Sequence, residues 1–150
     1  MFSLLAFAEQ EQATYIVGVQ NFEEYLPYSQ YKDGKYVGFN REILDLFADI
    51  YSLKFVYQAF PIKRRNRLFL SGNFDLQYPD NAYWSTDLKS NKAIKYSDPV
   101  VHYIDGAMVH PEKFGKGVKH LNTLAIVAGF TPAAYNQLVR EKKLKILEVF

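Results

Sequence analysis

Residues 15–51 constrain the fold more than any other stretch of the chain. An apolar run, Tyr15-Ile16-Val17-Gly18-Val19, reads as a buried strand. A loop of aromatic and polar residues follows, with Gln20, Asn21, Phe22, Tyr25, Pro27 and Tyr28. A turn at Asp33-Gly34 and a brief Tyr36-Val37-Gly38-Phe39 then lead into a helix expected from about Asn40, which is placed to cap it. There Ile43, Leu44, Leu46, Phe47, Ile50 and Tyr51 recur on one helical face. Buried strand, polar-aromatic loop and amphipathic helix together open an α/β unit. Ligands of open α/β sheets sit at strand ends, so the loop at residues 20–28 is expected to wall a binding cleft.

The rest of the chain continues the alternation. Leu53-Lys54-Phe55-Val56-Tyr57 reads as a second strand, parallel to the first because a helix separates them. Pro61 suits the start of a helix reaching Leu70, and Gly72 its C-terminal end. A short strand at residues 74–78 is stopped by Pro79-Asp80-Asn81, and residues 79–95 read as loop with one helical turn. Residues 100–104 read as extended, 107–110 as a strand and 111–117 as a surface connection. Leu124-Ala125-Ile126-Val127 is expected to be a strand, Thr131-Pro132 to cap and open a helix through Val139, and residues 145–150 to form a last strand. One helix and two strands leave this later unit incomplete unless a partner chain completes it.

The bulk properties exclude more than they assign. The chain of 150 residues has room for one domain, or for a domain and part of another. A net charge of +2 gives no reason to expect a nucleic-acid partner. The Lys63-Arg64-Arg65 run is expected to be a solvated helix face. Aromatic residues make up 17%, more than the core needs, which places some of them at a recognition surface. There is no cysteine, no HExxH, no calcium loop, no triad spacing and no phosphate-binding glycine loop. No metal, cofactor or catalytic residue is therefore expected. Residues 1–12, with Ala6-x-Ala8 ahead of Glu9-Gln10-Glu11-Gln12, read as a secretory-signal remnant or a disordered tail.

Several short motifs in order carry a resemblance. They are Ile16-Val17-Gly18-Val19, Leu26-Pro27-Tyr28, Gly34-Lys35-Tyr36-Val37-Gly38-Phe39-Asn40, Pro61, Ser71-Gly72-Asn73-Phe74-Asp75, Tyr96-Ser97-Asp98-Pro99-Val100 and Leu124-Ala125-Ile126-Val127-Ala128-Gly129-Phe130-Thr131. Across roughly residues 15–135 the chain resembles the N-terminal part of bacterial extracytoplasmic solute-binding proteins that serve polar amino-acid ABC transporters (family 3). The resemblance implies an α/β, type II periplasmic-binding-protein-like fold of two lobes. The first lobe would be nearly complete at residues 13–101, with a crossing segment at 102–110 and a truncated start of the second lobe at 111–150.

The same resemblance implies site residues. Phe22 or Tyr25 would stack on the ligand. Residues 78–81, with Tyr78, Asp80 and Asn81, would receive its amine, and Gly129-Phe130-Thr131 would offer an anion site through backbone N–H groups and the Thr131 hydroxyl. Trp84 would line the cleft. An arginine usually holds the ligand carboxylate in the loop before Ser-Asp-Pro, but residues 83–95 contain none. The position falls at Ser90, beside Lys89, and lysine lacks the planar fork. Arg64 would supply the charge instead.

The function so implied is periplasmic binding of a small polar or anionic, amino-acid-like solute by lobe closure. The solute would pass to an ABC transporter permease or a membrane sensor, and self-association would complete the truncated lobe. Two alternatives stand beside it: a degenerate, non-binding remnant, and a lyase or transglycosylase-type enzyme whose acid would be Glu23 or Glu24.

Overall fold

The computed structural model describes residues 12–149, and the expected signal remnant, apart from Gln12, lies outside the described residues. By contacts the chain divides into two compact units, Met1–Pro79 and Asp80–Phe150. The division falls earlier in the chain than the expected lobe boundary at Val101.

The first unit comprises β1 (Thr14–Gln20), β2 (Gln30–Lys32), β3 (Lys35–Val37), α1 (Phe39–Ile50), β4 (Lys54–Phe60), α2 (Ile62–Leu70) and β5 (Leu76–Gln77). Its sheet has the order β4-β1-β5 with both pairings parallel, as expected for strands separated by helices. β1 is central and fully buried from Val17 to Gln20, so both of its faces are covered. Val17, Val19 and Tyr36 form the core, with Leu44, Phe55, Tyr57, Ala59 and Tyr78 packed against them. The first helix leads from β1 to one flank and the second carries the chain back past β1 to the other. The strand order therefore reverses at the C-terminal end of β1, the ligand end of such sheets.

Local chemistry explains the elements. Asp33 and Gly34 both take positive φ, as the β2–β3 hairpin turn requires. Gly72 has φ +78°, with Gly72 N–H donating to the Phe69 carbonyl and Asn73 N–H to that of Leu68, so it closes α2 as expected. Asn40, however, does not cap α1. The helix begins one residue earlier, Gly38 takes the cap position at φ +101°, and Asn40 is buried inside the first turn. The reason is that Phe39 and Asn40 N–H donate to the carbonyls of Pro27 and Tyr28, at 3.0 and 2.9 Å. A Cβ at Gly38 would lie 2.9 Å from the Tyr28 oxygen, so that approach needs glycine.

The second unit holds α3 (Thr86–Lys89), β6 (Thr123–Val127), α4 (Asn136–Arg140) and β7 (Lys145–Val149), with single 3-10 turns at Pro111–Lys113, Val118–His120 and Ala133–Tyr135. β6 and β7 pair in parallel. Two expectations fail here. Residues 107–110 form no strand, and Met108 is fully exposed, as is Ile104 in the preceding segment. An apolar extended segment becomes a strand only where an edge pairs with it. The helix expected from Thr131 through Val139 is a 3-10 turn followed by the short α4, and the Thr131 hydroxyl is engaged elsewhere. In the first unit the strand expected at residues 74–78 is shortened to Leu76–Gln77, flanked by Asp75 and Tyr78 N–H groups that donate to the Ile16 and Gly18 carbonyls of β1, and the Phe74 ring lies against Gly18.

That close approach yields a stability test. A Cβ at Gly18 would run into the buried Phe74 ring. Gly18→Ala is expected to cost about 1–3 kcal/mol by overpacking. Urea unfolding followed by circular dichroism should show a smaller cost for the same change in a Phe74→Leu background.

Candidate functional site

The loop leaving β1 carries the aromatic residues singled out from sequence. Phe22, half-buried, meets the exposed Tyr25 edge-on with centroids 5.6 Å apart, and Tyr25 tilts against Tyr28 at 5.5 Å. The three rings form a ladder in the loop that leaves the switch point. Backbone bonds hold it in place. Tyr28 and Ser29 N–H both donate to the Tyr25 carbonyl at 3.0 Å, Tyr31 N–H donates to that of Phe22 at 2.7 Å, and Gln30 Nε2 donates to that of Glu23 at 2.7 Å. Tyr28 was expected only as part of the cleft wall; the third rung comes from the tight turn at Tyr25 and Ser29.

The basic run on α2 corrects a second expectation. Lys63 and Arg64 are exposed, with the Arg64 guanidinium 4.8 Å above the Phe60 ring, but Arg65 is only 1% exposed. At 100° per residue, Ile62, Arg65 and Asn66 share the inward face, so a triplet cannot lie wholly on the solvent side. Arg65 Nη1 donates to the carbonyl of Tyr78 at 3.2 Å, at the end of β5. Ser29, Tyr36 and Asn40 are buried in the same unit, and the Tyr36 phenol lies in the field of Arg65 and Tyr78. Tyr78 is thus a half-buried residue whose carbonyl already has a partner.

The second unit gathers its candidates into two groups. Asp80 and Asn81 shape a turn: Asn81 N–H donates to Asp80 Oδ1 at 2.8 Å, and Tyr83 N–H to Asn81 Oδ1 at 2.9 Å. α3 brings Lys89 against them, where its Nζ donates to Asp80 Oδ1 at 2.7 Å and to the Asn81 carbonyl at 2.8 Å. In the other group Trp84 packs on Tyr103 at 5.5 Å, and the Ser85 N–H donates to Thr131 Oγ1 at 3.0 Å. Gly129 N–H faces Glu148 Oε1 at 3.4 Å. Sequence reasoning missed Tyr103 and the Lys89 contact; only the aromatic content of the segment around Tyr103 hinted at the first.

Comparison with known proteins follows from this geometry. No family model and no curated protein matches the sequence. Solved structures do. One is an ancestral amino-acid-binding protein, a precursor of cyclohexadienyl dehydratase, with TM-score 0.66 and 20% identity over 91% of this chain and 61% of that one. A protein described as a binding component of an ABC transporter from Wolinella succinogenes, complexed with lysine, has TM-score 0.53 and 15% identity over 93% and 60%. An ancestral arginine-binding protein bound to arginine has TM-score 0.51 and 11% identity over 92% and 61%. The fold is that of the type II periplasmic binding proteins. The chain spans about 60% of the length of these type II structures. No helix among the described residues is long and apolar enough to cross a membrane.

Two measurements test this geometry. Arg65→Ala leaves the buried Tyr78 carbonyl without its donor, and is expected to cost about 2–4 kcal/mol in denaturant unfolding. Arg64→Ala, on the exposed side, should cost at most about 1 kcal/mol. The second test concerns alkaline pH. Burial pushes the Tyr36, Tyr57 and Tyr78 phenols up, and Tyr57 is pushed further by the 2.6 Å hydrogen bond it donates to the Asp45 carboxylate. A raised folded-state pKa gives stability that is complete below the unfolded value near 10 and lost as pH rises past it. Melting temperatures measured from pH 8 to 11 should fall above pH 10, and fall less steeply in Tyr57→Phe.

Proposed function

We propose that the chain binds a small polar or anionic, amino-acid-like solute outside the cytoplasm, and that closure of two lobes holds the solute for an ABC transporter or a membrane sensor. The observation that carries this reading is the Phe22–Tyr25–Tyr28 ladder on the loop that leaves the switch point of the first sheet. Neighbours of the same fold support it, since their descriptions name amino-acid, arginine and lysine binding. In this reading Phe22 and Tyr25 stack on the solute. Arg64 supplies positive charge, while Tyr78, Asp80, Asn81, Trp84 and Thr131 contribute polar and aromatic contacts. Lobe one ends near Val101 in this reading.

A non-binding variant of the fold is the second reading, and a specific observation favours it. Asp80 and Asn81 are already engaged by Lys89, and the Gly129 N–H already faces a carboxylate. The enzyme reading has less support. Glu23 and Glu24 are both exposed, without the dry setting that poises a carboxylic acid for proton transfer. One neighbour is nonetheless the precursor of a dehydratase, so the fold itself permits chemistry.

Native mass spectrometry of the purified chain, followed by a thermal-shift panel of amino acids, organic acids and sugars, separates the readings. Binding predicts a saturable shift with an amino-acid-like solute, and Tyr25→Ala should weaken its affinity about 3- to 10-fold through lost stacking. An unliganded mass and a blank panel would establish the non-binding variant instead.

A further inference from the structure

Lys89 is held in a way that goes beyond an ordinary surface ion pair. Its side chain and that of Asp80 are 9% and 10% exposed. Two of the ammonium donors are taken by Asp80 Oδ1 and the Asn81 carbonyl, at 2.7 and 2.8 Å. The ring of Tyr96 lies 5.4 Å from Nζ and completes a carboxylate, carbonyl and aromatic cage. A compact ammonium with rotatable donors suits this arrangement, whereas a guanidinium would demand a planar, two-pronged acceptor.

The element that delivers the lysine is slight. α3 has four residues, starts from Ser85 in the left-handed region at φ +49° and ends at Ser90. A helix of one turn has little cooperativity of its own, so its position rests largely on the contacts its side chains make. The cage residues Asp80 and Asn81 are instead tied together by the turn bonds described above. The acceptors Asp80 and Asn81 are therefore ordered by bonds in which Lys89 takes no part.

We infer that Asp80, Asn81 and Tyr96 form a primary-ammonium subsite that Lys89 itself occupies, so that an amine from solution enters only by displacing the lysine. The inference rests on the solute-binding reading for the identity of the natural amine, but not for the existence of the cage. An internal occupant lowers apparent affinity by the fraction of time the cage stands open, and it rejects cations that carry no N–H donor.

Lys89→Ala empties the cage and leaves a buried carboxylate without its counter-charge, which lowers the melting temperature. Methylammonium chloride should restore it saturably, tetramethylammonium chloride at equal ionic strength should not, and the wild-type chain should respond to neither at the same concentrations. Lys89→Gln, whose amide still donates to Asp80, guards against a failure of the alanine variant to fold and should show the same order with a smaller rescue. Equal responses to the two salts, or equal methylammonium responses in wild type and variant, would overturn the subsite. Methylammonium rescue beside a blank solute panel supports the subsite while removing the solute reading, and a panel hit without rescue does the reverse.

Discussion

A guanidinium buried under the sheet is the constraint on which the first unit depends. Arg65 is 1% exposed and donates to the carbonyl of Tyr78, so α2 is tied to the residue that directly follows β5. A charge in that position is tolerable only if its surroundings are polar, and they are. Ser29, Tyr36, Asn40 and Asn66 are buried around the same end of the unit. Those side chains come from the loop after β1, from β3 and from the two helices. Four separate segments thus each send a polar side chain into the interior of the unit.

Much of the first unit was legible in the residues. The run through Val17 and Val19, the apolar stripe of α1, the Asp33-Gly34 turn and the Pro61-to-Gly72 helix all announce themselves through period or backbone preference. The phase of α2 against the sheet was not legible, because a charged triplet reads as solvated until the inward position of Ile62 is known. The same limit applies to Asn40, a good capping residue displaced by carbonyls arriving from residues 27 and 28. In the second unit the misses are larger and share a cause. Thr131 is a plausible helix cap, yet its hydroxyl accepts from Ser85, 46 residues earlier in the chain. Lys89, which the resemblance sets beside the position of a ligand-holding arginine, is turned onto Asp80 instead. No local pattern encodes pairings of that range.

The two units differ in how far they satisfy their own apolar surface. The first has a core about a central strand covered on both faces. Among the described residues of the second, Leu144 is the sole apolar side chain that is buried, and the parallel pair β6–β7 leaves both outer edges open. A two-stranded sheet with so little buried area holds its shape weakly in water. The polar contacts made by Lys89 and Thr131 accordingly carry a larger share of its order than comparable bonds do in the first unit.

The pinning of the loop at residues 27 and 28 to the start of α1 bears on how selectivity would arise. With Gly38 admitting the two carbonyls and the Tyr25 oxygen receiving two amides, the aromatic ladder is held before any guest arrives. A wall of that kind loses little freedom on contact, so the entropy of a flexible guest, more than that of the host, sets the penalty for association. Discrimination at this surface would then follow shape: stiff guests matching the spacing of the rungs gain, and long pliant ones of equal polarity lose.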